Sequence, residues 1–139
     1  EELHFLNIPK GSLDVDERLQ IQSHVTHTYN FLMQIPWTAN LGRVADIAHE
    51  HHEKLDGTGY PRGIEADEIA LQTRTMTVSD IFDALTASDR PYKSALSENR
   101  ALEILDMEAE AGMLDSDIVG LLIASEAYCT ILDRDWTEL

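Results

Sequence analysis

His51-His52-Glu53-Lys54-Leu55-Asp56-Gly57-Thr58-Gly59-Tyr60-Pro61 is the stretch that decides how this chain is understood. It is followed some twenty positions later by Asp80-Ile81-Phe82-Asp83-Ala84-Leu85 and then by Arg90-Pro91-Tyr92-Lys93. Two imidazoles, several carboxylates and a cationic pair therefore fall within about forty-five residues, the composition of a metal site beside an anion site. Neighbouring residues on a helix point roughly 100° apart. His51 and His52 thus do not easily share one ion from one regular turn, but each could serve one of two adjacent ions.

The surrounding pattern is helical. From Asp14 to about Gln34, Leu19, Ile21, Val25, Tyr29 and Leu32 recur near helical spacing, and Pro36 ends the run. A second helix is expected from about Asn40, a plausible cap, to Glu53, carrying the histidine doublet at its end. Asp56 to Gly63 must be a loop, in which Gly57 and Gly59 are free to take positive φ. A third helix from about Leu71 to Ser88 is expected to place Met76, Asp80, Asp83, Ala84 and Ala87 on one face. Ser97 opens a fourth, with Ala101, Leu102, Ile104 and Leu105 inward and its close near Gly112. Asp115 or Ser116 caps a fifth, whose apolar stripe is Ile118, Val119, Leu122 and Ile123. With no strand alternation or internal repeat, the expected fold is all-α, with about five helices.

At 139 residues the chain fits one domain with a real core. The net charge is −16, and 10 acidic residues follow residue 100 against Arg134 alone. Binding of a nucleic-acid polymer through a broad basic face is disfavoured, while a small phosphate ligand held by bound cations and a few placed side chains is not. Cys129 is the one cysteine, so any metal is held by nitrogen and oxygen. No apolar run approaches the length of a membrane span, and the start lacks the order of a signal peptide. The expected setting is the cytoplasm, and an initial Glu suggests a fragment of something longer.

Read singly, the candidate residues leave alternatives open. His24 lies on the stripe of the first helix, where a lone histidine is usually a packed core residue. Asp80, flanked at i−4 and i+4 by Met76 and Ala84, should face a core unless something compensates its charge, and a metal is the simplest compensation. Asp83 could orient a ligand histidine or lie on the surface. Arg90 and Lys93 could be solvated cations near a helix end.

Together, however, the His-His-Glu, Asp-Gly and Gly-Tyr-Pro elements resemble, in order, the signature of the HD-GYP phosphodiesterases, and Asp80 to Lys93 resembles that family's second conserved block. Ile8-Pro9, Gly11-Ser12-Leu13, Glu17 and His24 agree upstream, Gly112 and Asp115 to Val119 downstream, so that residues 8 to 123 or so are covered; Thr28 stands where the family usually has Gly. The resemblance implies that His24, His51, His52 and Asp80 ligate two or more divalent metals, iron or manganese, and that Arg90 and Lys93 contact substrate phosphates. It implies that Glu53 and Asp56 anchor a recognition loop containing Gly57 and Gly59, and that Tyr60 and Pro61 form its tip, a contact surface for other signalling domains. It implies hydrolysis of cyclic diguanylate in bacterial second-messenger signalling. The family's His-Asp pair is expected upstream of Ile8, and no His-Asp dipeptide occurs in the chain. Residues 1–139 accordingly read as a truncated or degenerate HD-GYP domain with its amino-terminal part missing. The alternative is a non-catalytic module that binds a cyclic dinucleotide or a protein.

Overall fold

Five α-helices account for most of the backbone in the computed structural model, which describes residues 15–87 and 95–128, with side chains from Leu19 onward. They are α1 (Val15–Leu32), α2 (Val44–Glu50), α3 (Leu71–Thr86), α4 (Glu98–Glu110) and α5 (Ser116–Ser125), with short 3₁₀ turns at Ala39–Leu41 and Ala66–Glu68. Helix α1 packs on α2, α2 on α3, and α3 on both α4 and α5. Among the described residues the only extended pairing is a single antiparallel bridge, Asp56 to Glu65, which closes the neck of the loop between α2 and α3. The fold is all-α.

The core is built by α3, α4 and α5. Val78, Phe82 and Leu85 from α3 meet Ala101, Leu102 and Leu105 from α4, and Leu114 and Val119 complete the cluster. Its α3 face is not the expected one: Thr73, Thr77, Val78, Phe82 and Leu85 are buried, whereas Met76 and Asp83 are exposed. The reason is volume, since Phe82, Val78 and Leu85 bury far more apolar surface than a face made of alanines and aspartates could. Asp80 consequently sits at the margin of the core, half-buried, and not inside it.

Helix α1 also departs from its expected stripe, with Val25 fully buried but Leu19 on the surface. Its final turn is closed by the Trp37 indole, whose Nε1–H donates to the Leu32 carbonyl at 2.9 Å. The second helix is much shorter than the run from Asn40 to Glu53: Asn40 lies inside a 3₁₀ turn, Gly42 and Arg43 break the register, and regular helix ends at Glu50. The histidine doublet therefore lies just past the last helical residue.

The later caps follow the sequence closely. Ser97 Oγ accepts from the Arg100 amide at the start of α4. Gly112, at φ 76°, ends that helix in the left-handed region while Met113 N–H returns to the Glu108 carbonyl. Asp115, not Ser116, caps α5 by accepting from the amides of Asp117 and Ile118. The same carboxylate accepts from Arg74 Nη1 at 2.9 Å, and that hydrogen bond, with the caps, holds it below the usual carboxylate range. Arg74 also donates to the Ile69 and Ala66 carbonyls, fastening the end of the loop to α3 and α5.

Candidate metal centre

Three histidines from two separate segments converge. His24 comes from the middle of α1, His51 and His52 from the turn after α2, and one ligand atom of each lies within 4.8 Å of the others. Ring centroids are 4.0 Å apart for His51 and His52, 5.2 Å for His24 and His52, and 6.2 Å for His24 and His51. The His24 and His51 rings are oriented in the same way. His24 Nδ1 is 2.7 Å from the Ile21 carbonyl, and His51 Nδ1 is 2.9 Å from the Ala48 carbonyl. A carbonyl only accepts, so Nδ1 must carry the proton in both, which leaves the Nε2 lone pair for a ligand. One ion about 2.1 Å from each nitrogen holds pairs no more than about 4.2 Å apart, so these rings either close slightly on one ion or are shared between two.

Burial, and then the neighbouring His51 and His24 rings, push the His52 imidazole down to about 3 from an ordinary 6.5. His52 is therefore neutral, as ligation requires, across the whole neutral range. The same shift sets a pH dependence for the metal-free domain. Between pH 6.5 and about 3 the unfolded chain binds a proton at His52 that the native fold refuses, so stability is full above 6.5 and declines as pH falls through that window. Urea midpoints of metal-free protein should drop from pH 7.5 to pH 5, and His52→Gln should flatten that slope by up to one proton; an equal slope in both proteins would refute the assignment.

Beside the doublet opens a cleft of about 550 Å³. It is lined by His51, His52, Thr77 and Asp80, by Tyr60 and Thr58 of the loop, and by Ile81 and Leu85 of α3, Leu96 before α4, and Arg100 and Ile104 of α4. Asp80 thus shares a cavity with the doublet. Thr77 ties the two elements, its buried hydroxyl donating to the His51 carbonyl at 2.8 Å. Asp83 lies on the exposed side of α3 and does not line the cleft; its carbonyl accepts the Ala87 amide. His49 stacks on Tyr29 at 4.6 Å, and His27 is exposed. Arg90 and Lys93 lie outside the described residues.

The loop between the doublet and α3 hangs on Glu53, which is 2% exposed. Its Oε1 accepts from the amides of Arg62 at 2.6 Å and Gly63 at 3.2 Å, and its Oε2 from the amide of Ile64 at 3.2 Å. Asp56 forms a tighter local turn, accepting from both the amide and the hydroxyl of Thr58, which hold its carboxyl below the ordinary value. Gly57 and Gly63 take positive φ, 75° and 64°. Gly59 does not; it is needed for close approach, since a Cβ there would stand 2.5 Å from Glu53 Cα and 2.6 Å from Glu53 C. That approach brings Tyr60 against the centre, its ring stacked on His52 at 4.8 Å and its amide donating to the His52 carbonyl at 3.2 Å. Tyr60 is followed by a cis peptide bond to Pro61.

The HD domain family matches residues 1–118. This chain belongs to the HD domain family. Over 96 residues the HD domain is 47% identical to the 3'3'-cGAMP-specific phosphodiesterase 3 of Vibrio cholerae, which covers 69% of this chain and 20% of that protein. It is 36% identical over 113 residues to the 3'3'-cGAMP-specific phosphodiesterase 1 of the same organism, 81% of this chain and 25% of the relative. A cyclic di-GMP phosphodiesterase of Thermotoga maritima is 42% identical over 91 residues, 65% of this chain and 24% of its own. The HD domain chain thus spans about a fifth to a quarter of the length of these relatives. Their names accord with the HD-GYP resemblance, and no helix among the described residues is long and apolar enough to cross a membrane.

Two cations of the cleft escape a reading of the sequence. Lys54 follows the doublet directly and reaches Glu108 Oε2 at 3.5 Å and the Met113 sulfur at 3.2 Å. Arg100 looks like an ordinary residue of a helix first turn. The tertiary packing puts both on the lining of the cleft that the histidine doublet borders.

Proposed function

We propose that this HD domain hydrolyses a phosphodiester bond of a cyclic dinucleotide built from guanylate or adenylate, using divalent iron or manganese held by His24, His51, His52 and Asp80. The observation that supports it most directly is the convergence of three imidazoles, two of which line a nucleotide-sized cleft. The naming of relatives for cyclic di-GMP and for 3'3'-cGAMP widens the substrate class beyond cyclic diguanylate alone. An all-nitrogen and oxygen donor set suits iron or manganese. Bound ions of this kind lower the pKa of coordinated water and stabilise charge developing on phosphate oxygens.

The chain's own side chains prepare that chemistry. The Ile21 and Ala48 carbonyls orient His24 and His51, and Thr77 holds the His51 backbone. Asp80 supplies negative charge at the same cavity wall. Tyr60, stacked on His52, screens one side of the centre from water and links the Gly-Tyr-Pro loop to it. Arg90 and Lys93 neutralise the substrate phosphates in this reading. The outer rim of the loop, where Pro61 and Arg62 are exposed, is the surface for a signalling partner.

The full-length protein that carries this chain should be depleted of metal by chelation, reloaded with manganese or ferrous iron, and assayed by chromatography with cyclic di-GMP and 3'3'-cGAMP. Metal-dependent appearance of linear dinucleotide or mononucleotides is expected. Tight binding without product would identify a non-catalytic module, and neither binding nor product would overturn the reading.

A further inference from the structure

Helix α4 turns one stripe toward the cleft: Arg100 and Ile104, one turn apart, both line it. Ile104, Ile81, Leu85 and Leu96 give the cleft an aliphatic part of its lining, and Arg100 lines the same cleft. A phosphate does not settle on four aliphatic side chains, because it would lose water without gaining a hydrogen bond. The flat face of a nucleobase does, since it is apolar and polarisable while its hydrogen-bonding groups lie on the edge. The side chain that borders such a lining meets the base edge.

We propose that Arg100 and this aliphatic lining form a nucleobase subsite selecting guanine, an inference that rests on the cyclic dinucleotide reading. All cyclic dinucleotides of this class carry the same phosphates, so selection among them must be made at base edges. Guanine offers two acceptors, O6 and N7, to the planar fork of a guanidinium. Adenine offers N7 beside an N6 amino donor, which opposes an arginine N–H but suits a glutamine amide. Arg100 is available for this contact. Its present partner is Glu103 at 2.6 Å, one turn along α4, with side chains 55% and 60% exposed, a pair that water weakens and a ligand displaces readily.

The test uses the full-length protein, metal-loaded, with cyclic di-GMP and cyclic di-AMP as substrates and as competitors in equilibrium binding. The parent should favour cyclic di-GMP. Arg100→Gln should lower the ratio of kcat/KM for cyclic di-GMP over cyclic di-AMP by about tenfold or more, the discrimination of one bidentate base contact. Arg100→Ala should lose guanine preference without gaining adenine, and Glu103→Ala should leave the preference in place. Circular dichroism and urea midpoints should match the parent in all three, as expected at exposed helical positions. A ratio unchanged within about twofold in Arg100→Gln, or equal losses on both substrates, would overturn the subsite and mark Arg100 as a phosphate contact or a bystander. If the parent neither binds nor cleaves any cyclic dinucleotide, the functional reading itself fails, and that result is separable from the first.

Discussion

His51→Ala should reduce turnover of the preferred cyclic dinucleotide by more than about a hundredfold at limiting metal, with metal content falling in parallel. The scale follows from what lesser changes do, since losing a group that merely orients a metal ligand already costs about 10- to 100-fold in affinity or activity. His51 is the sharper choice within the doublet, because His52 also carries the stacked Tyr60 ring and its removal would disturb the loop. His51 is half-buried and its main structural bond is to a carbonyl one turn back, so the fold should survive. Helical circular dichroism should be unchanged while bound manganese or iron, measured by mass spectrometry, declines. Parent-like activity and metal content in the variant would refute the metal centre.

Glu53→Ala should destabilise the domain by about 3 kcal/mol or more. One carboxylate serves three backbone amides, and each donor left without a partner costs roughly 1–3 kcal/mol where water cannot reach it. Ile64 is buried, whereas Arg62 and Gly63 are exposed and recover part of the loss by hydration. Glu53→Gln keeps the shape and one acceptor oxygen, so a smaller loss is expected. The loss should also reach the centre, because the amides that Glu53 holds belong to residues just beyond Tyr60 and Pro61. Urea unfolding gives the first effect and metal affinity the second. A change below about 1 kcal/mol in Glu53→Ala would show that the loop is held by other contacts.

The elements that end in strong local signals are legible without coordinates. Ser97, Gly112 and Asp115 each act through backbone groups within four residues, so their roles do not depend on what packs around them. The break at Gly42 and Arg43 was less legible, since the apolar spacing through Val44, Ala45 and Ala48 continues the pattern that Leu41 begins. The buried face of α3 is not legible for a related reason: two candidate stripes differ by one position, and the choice is made by the partners Leu102, Leu105 and Val119, which lie elsewhere in the chain. Gly59 reads from sequence as a glycine of conformation but is a glycine of contact, a distinction set by the Glu53 backbone beside it.

By itself the sequence determined the all-helical class and the loop between Asp56 and Gly63, because helical periodicity and glycine spacing are properties of short segments. The resemblance groups His24 with the doublet, but only the tertiary structure shows α1 bringing it there, Tyr60 packed on His52, and Lys54 and Arg100 lining the same cleft. Those relations join residues separated by many turns of helix. They depend on how α1 is set on α2, α2 on α3 and α3 on α4, with Val25, Phe82 and Leu105 buried, a result of the whole packing and of no single stretch.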